Sequence, residues 1–185
     1  MMADHPSLEA LTGAGAGEAL RREAAEDFLR SAADKTGALA LAYVSREGVL
    51  LAQAGETLGA EALEGPWRAR AAQGALGTGH GIVQGQAGAR RAYFYAAPDF
   101  GRDGRVRAML LVVVDIDELE YGWRSSSPAV FFTNVDGRVF MANRSELVFA
   151  EVRAEDAGLV LQDGAEGRIV QSLQGGEEIW ELALG

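Results

Sequence analysis

Two β-rich runs recur in this chain at a fixed offset. Leu41–Ala54 lies without a gap on Val130–Asn143, 89 positions further on (41 to 130, 54 to 143). Each run breaks at the same place on an acidic residue followed by glycine, Glu47-Gly48 in the first and Asp136-Gly137 in the second. An Asp-Gly pair between alternating apolar residues is among the strongest short-range hairpin signals, because glycine accepts the left-handed backbone that a tight turn requires. The pattern predicts two copies of one hairpin-led unit.

What lies between the hairpins sets the rest of the expected order. Leu20, Ala24, Phe28, Leu29 and Ala32 recur at helical spacing with Arg and Glu between them, which predicts an amphipathic helix ending near Gly37 after a flexible Gly13–Gly17 joint. Leu58 to Gly74, around Gly65-Pro66, reads as a short helical excursion, and the glycine-dense stretch Gly74–Gly88 as a loop or weak strand. Gly77-Thr-Gly79-His-Gly81 lacks the spacing and the lysine of a phosphate loop. Arg91–Ala97 and Arg107–Asp115 read as neighbouring strands joined by the Gly101–Gly104 turn. In the second copy, Arg168–Leu173 and Ile179–Leu184 form the expected last pair of strands, turning at Gln174–Gly176. The fold class is α+β: a long N-terminal helix region (1–37), a first unit (38–127) and a shortened second unit (128–185), each with a central antiparallel sheet.

Composition narrows function. A net charge of −10 leaves no basic face for nucleic acid. The absence of cysteine removes thiolate nucleophiles and thiolate metal sites. With His5 and His80 the only histidines, no metal, cofactor or catalytic centre is expected. Met109–Val114, the longest apolar run, is far shorter than the roughly 20 residues of a membrane helix. Met1–Pro6 carries neither a basic leader nor an apolar core, so a chain of this kind acting outside the cytoplasm is expected to be a piece of a larger protein.

Five segments in order carry a resemblance: Ala33–Ala38 closing the first helix, Tyr43–Val49, Tyr93–Pro98, Val112–Trp123 and Thr133–Gly137. In sequence and spacing they resemble the extracytoplasmic tandem PAS-like (double Cache) sensor region of bacterial membrane histidine kinases, especially that of the four-carbon dicarboxylate sensors. The resemblance implies a periplasmic input domain of a membrane-anchored parent, with a small molecule bound in the first unit and the first helix packed across a homodimer. The kinase itself lies outside this chain, and no catalysis is implied for it.

The same resemblance puts the dicarboxylates in doubt. The positions at which that family holds two cations, an Arg before a Pro-aromatic pair and a Lys two residues before the strand-end Asp, are Gly65 and Val113 here. A hydrogen bond to a charged group contributes about 1.5–3 kcal/mol, so two missing cations weaken dicarboxylate binding severely unless Arg68, Arg70 or Arg91 replaces them. If Leu111, Val113 and Asp115 share a pocket face with Tyr93 and Tyr95, the wall is Trp67, Tyr93, Tyr95, Val113 and Asp115, with Arg68 close by. An aromatic wall with one carboxylate suits an amine or quaternary ammonium through cation–π contact and a salt bridge, and the expected ligand is an amine, an amino acid or a small carboxylate. Amino-acid- and amine-binding Cache sensors carry an Asp at about the position of Asp115.

Each residue has a plainer role as well. Trp67 fits a core, and Asp115 fits a cap on the following helix. The opposite strand register would turn Phe94 and Ala96, not the tyrosines, to the pocket. His80 reads as a loop residue, and Asp117, Glu118 and Glu120 as a solvated face. The competing function is a dimerisation or partner-binding module whose interface is the Leu20, Phe28 and Leu29 stripe.

Overall fold

The computed structural model describes residues 5–12, 17–85, 88–125, 129–153, 158–162, 164–174 and 177–184. Residues 13–16 of the expected glycine joint and Gly175-Gly176 of the expected last turn lie outside them. The chain divides into two compact units, residues 1–116 and 117–185, a break that falls earlier than residue 127.

The first unit opens with the short helix α1 (Pro6–Glu9) and the long helix α2 (Glu18–Thr36). Gly37 closes α2 in the left-handed conformation at φ +67°, and its N–H caps the carbonyl of Ala33. Five antiparallel strands follow: β1 (Ala40–Ser45), β2 (Leu50–Gly55), β3 (Gly77–Gly85), β4 (Gly88–Phe100) and β5 (Val106–Asp115). Their order in the sheet is β2-β1-β5-β4-β3. Two short helices, α3 (Ala60–Leu63) and α4 (Trp67–Ala72), fill the excursion between β2 and β3.

Strand alternation gives the sheet two apolar faces. Leu41, Tyr43, Ala52, Ala54, Ala108 and Leu110 pack against Ala25, Leu29, Ala32 and Ala33 of α2. Ala40, Ala42, Met109, Leu111, Val113, Phe94 and Ala96 face the other way and are covered by Leu58, Ala62, Trp67 and Ala71. Burial of each large side chain contributes about 1.5–3 kcal/mol, so both helical layers are held mainly by the sheet between them.

The glycine-dense stretch is a full nine-residue edge strand, not a loop. Gly77 and Gly79 lie under Trp67 at the start of α4, and a Cβ on Gly77 would stand 2.0 Å from the Trp67 carbonyl oxygen. The missing side chains let a helix lie directly on the strand, a tertiary reason for glycine that a propensity reading assigns to looseness.

The predicted repeat holds bond by bond. In the first hairpin Ala42 pairs with Gln53, Tyr43 with Ala52 and Val44 with Leu50, the register slipping between Tyr43 and Val44. In the second, β6 (Phe131–Thr133) and β7 (Val139–Ala142), Phe131 pairs with Ala142, Phe132 with Met141 and Thr133 with Val139, slipping between Phe132 and Thr133. Adding 89 to the first set yields the second. The turns match too: the side chains of Ser45 and Asn134 accept from the N–H groups of Val49 and Arg138, and Gly48 and Gly137 both have positive φ.

In the second unit Glu120 of α5 (Ile116–Tyr121) is buried and accepts from the Ala142 N–H at 2.9 Å. The solvated-face reading of Glu120 is thereby corrected: a carboxylate satisfied by a backbone donor tolerates burial. Strands β8 (Glu151–Arg153), β9 (Gly158–Val160), β10 (Glu166–Gln174) and β11 (Glu177–Leu184) form a second sheet in the order β11-β10-β9-β8. The core of the second unit contains Val139, Ala142, Leu147, Ala150 and Leu159.

One buried charge organises the α2 face of the first unit. Asp99 is fully buried, accepts from the Tyr43 hydroxyl, and is bridged by Arg107 Nε at 2.9 Å and Nη2 at 3.4 Å. Arg107 Nη1 reaches on to Glu9 Oε1 at 3.1 Å, tying α1 to the sheet. Burial, reinforced by the hydrogen bond to Asp99, pushes the Tyr43 hydroxyl far above its ordinary value, and the hydrogen bond to Asp99 does the same for the Arg107 guanidinium. Replacing Asp99 with Ala strands a buried hydroxyl and a half-buried guanidinium. Asp99→Ala is expected to lower stability by about 3 kcal/mol, read from urea unfolding monitored by circular dichroism.

Candidate functional site

The candidate site lies where β5 ends on the face turned away from α2. In the β4–β5 ladder Ala92 pairs with Asp115, Phe94 with Val113 and Ala96 with Leu111. Residues directly opposite each other share a face, so Asp115 and Val113 stand with Ala92, Phe94 and Ala96. Tyr93 and Tyr95 point to the other face beside Val114 and Val112, their rings tilted against each other at 4.8 Å. The expected tyrosine wall beside Asp115 is corrected: the register that occurs is the one turning Phe94 and Ala96 toward it.

Asp115 is 4% exposed, and its Oδ2 lies 3.4 Å from Nη1 of Arg90, whose side chain is 35% exposed. Arg90 stands two residues before Ala92 on β4 and therefore on the Asp115 face. A buried carboxylate joined to a guanidinium that reaches solvent makes a charged mouth at one end of an apolar floor. Glu56 adds a third charge to this end, its carboxylate lying where a Cβ on Gly85 would come within 2.9 Å. Asp115 also directly precedes α5.

The other expected residues fall in different places. Trp67 is 1% exposed, donates from Nε1 to the Ala62 carbonyl at 3.1 Å, and belongs to the same apolar cluster as Phe94 and Val113. Arg68 reaches the opposite end of the sheet, where Nη1 donates to the Glu47 carbonyl at 3.5 Å in the β1–β2 turn. Ser45, at the start of that turn, pairs with Ala108. Asp115 is seven residues further along β5 (108 to 115), roughly 23 Å at about 3.3 Å per residue, so Arg68 does not join it. Arg91 alternates onto the tyrosine face. His80 sits on β3 opposite Tyr93 rather than in a loop, and burial holds its imidazole below the ordinary value of 6.5.

Arg90 is the residue that sequence reading missed. Its signal was present in the spacing Arg90, Ala92, Phe94, Ala96, but that spacing acquires meaning only once Ala92 is known to face Asp115.

This architecture is shared with solved sensor domains. The chain is similar to the sensor domain of the histidine kinase DctB of V. cholerae, with a TM-score of 0.57 and 19% identity, covering 82% of this chain and 59% of that domain. It thus spans about three fifths of that domain's length. It is similar to the ligand-binding domain of the Campylobacter jejuni chemoreceptor Tlp3 in complex with L-valine, with a TM-score of 0.58 and 10% identity over 96% of this chain and 81% of that one. A third likeness is to the ligand-binding domain of the Pseudomonas aeruginosa PAO1 amino acid chemoreceptor PctC in complex with GABA, with a TM-score of 0.54 and 12% identity over 96% and 85% of the two chains. No protein-family model and no curated protein sequence matches the chain. The likeness lies in the fold, an α+β architecture with an N-terminal helix and a central antiparallel sheet that these sensor and ligand-binding domains share.

The burial of Trp67 makes a specific demand on stability. Trp67→Ala is expected to cost about 3–5 kcal/mol in a denaturant titration, the range for removing a fully buried aromatic side chain.

Proposed function

We propose that this chain is the small-molecule sensor domain of a membrane-anchored signalling protein, and that its ligand is an amine or amino acid taken up by the first unit at Asp115 and Arg90. The observation that carries this reading is the ion pair itself, a buried carboxylate and a solvent-reaching guanidinium side by side over Val113 and Phe94. An α-amino acid presents the complementary pair. Its ammonium group replaces Arg90 as the partner of Asp115, and its carboxylate takes up the freed guanidinium, so no charge is left buried alone. A dicarboxylate would bring two negative charges to a mouth holding Asp115, Glu56 and one guanidinium, and repulsion would oppose it. The amino acids bound by Tlp3 and PctC support the same ligand class.

The resemblance to the DctB sensor domain supports reading the parent as a sensor histidine kinase and the domain as periplasmic. No helix among the described residues is long and apolar enough to cross a membrane. In this reading the ligand, by engaging Asp115 and Arg90 at the end of the sheet, biases the packing of α2 against a second copy. The apolar stripe once available for that contact is largely used within the unit. Leu29 and Ala32 are buried against the sheet, and Phe28 is stacked on His5 at 3.7 Å. Leu20, 72% exposed, remains for the second copy.

Two measurements test the reading. In a thermal-shift screen against amino acids, amines and dicarboxylates, an amino acid at about 100 times its Kd adds about 2.7 kcal/mol and raises Tm by several degrees. Asp115→Asn and Arg90→Gln, each confirmed folded by circular dichroism, should abolish the shift while Tyr95→Ala keeps it. A dicarboxylate hit, or full binding by both charge variants, overturns the site. For the dimer, Leu20→Glu should move the chain toward monomer in sedimentation velocity, and an unchanged profile removes α2 as the contact.

A further inference from the structure

The opposite end of the same sheet holds a recess of about 470 Å³, to which Arg46, Gln73, Phe100 and Arg105 all contribute. These side chains come from four separate segments: the β1–β2 turn, the end of α4, the last residue of β4 and the β4–β5 turn. The volume falls within the range of small-molecule sites, and Ala72 and Val106 supply an apolar floor.

Two features set its chemistry. Arg46 and Arg105 bring two guanidinium groups to one recess in a chain of net charge −10, and among the described residues neither side chain has a hydrogen bond or ion pair. The carboxylate nearest to them in sequence on the β4–β5 turn, Asp103, is engaged by the Arg105 backbone N–H at 3.1 Å. Two like charges in one recess repel, and an anion between them removes that cost. The second feature is Phe100. The register slips between Asp99 and Phe100, so Asp99 turns into the core while the Phe100 ring stays 48% exposed, beside Gly74. An exposed ring beside two forked donors matches a flat molecule with a carboxylate at one end.

We propose that the first unit carries an anion site at this turn end, in which Arg46 and Arg105 hold the carboxylate of a small aromatic acid, Gln73 donates to it, and Phe100 packs on its ring. The site is separate from the one at Asp115. Val106 and Asp115 are nine residues apart on β5, which is roughly 30 Å along a strand.

The test uses the whole chain and four probes in isothermal titration: benzoate, acetate, inorganic phosphate and benzylamine. Benzoate is expected to bind more tightly than acetate or phosphate, and benzylamine not to bind here. Arg46→Ala and Arg105→Ala, both on exposed turns, should each weaken benzoate by roughly tenfold to a hundredfold, as expected for a lost charge-assisted hydrogen bond. Phe100→Ala should remove the preference for benzoate over acetate, and added salt should weaken benzoate binding. Asp115→Asn should leave benzoate binding unchanged, so a failure of the Asp115 site does not touch this result. The proposal is overturned if benzoate does not bind, if it binds the double arginine variant as well as the native chain, or if Asp115→Asn abolishes it. Equal binding of phosphate and benzoate that survives Phe100→Ala would overturn the aromatic class.

Discussion

The pairing of β4 with β5 is the constraint on which the rest of the first unit depends. By setting Ala92 opposite Asp115 it decides the face of every side chain on the two longest strands. A slip of one residue would exchange the faces, placing Tyr93 and Tyr95 in the apolar layer under Trp67 and Phe94 among the solvent-facing groups. The same ladder slips once, between Asp99 and Phe100, and there it does two opposite things. It delivers a carboxylate to the buried Tyr43 and Arg107, and it leaves an aromatic ring at the surface.

The sheet therefore separates its tasks by face and by end. One face is occupied by α2 and by the Asp99 network, which also reaches Glu9 and so fastens the start of the chain. The other face is packed with aliphatic side chains and Trp67 for most of its length, and its polar groups collect at the Asp115 end. Both candidate sites accordingly lie at the ends of the sheet, where strands stop and turns begin. Trp67 illustrates the division. It stands on the face expected for a ligand wall, yet it is held by the Ala62 carbonyl and seated on glycines, so it anchors the α4 layer.

Much of the architecture was legible in the chain itself. The helix ending at Gly37, the two hairpins and the strands around the Gly101–Gly104 turn follow from periodicity and turn residues, which act over a few positions. The candidate site was legible only in part. Asp115 and Val113 could be placed on one face of one strand, but their neighbours across the ladder could not, and the choice between Tyr93 with Tyr95 and Phe94 with Ala96 stayed open until the register was known. Gly74–Gly88 reads as a loop or weak strand because glycine has low strand propensity, whereas here the lost side chains are what allow α4 to approach a full strand.

The sequence by itself determined most of the elements, their order and the hairpin repeat, down to the offset that carries one hairpin register onto the other. These are local properties, written in spacing and in the few residues that tolerate a tight turn. Only the tertiary structure decided that Arg90 meets Asp115, that Asp99 is buried against Tyr43, and that Arg46 and Arg105 converge beside Phe100. Each of these depends on which residue stands opposite which across a strand pair or a turn. That is set by the packing of whole faces and the loss of water from them, and no single segment contains it.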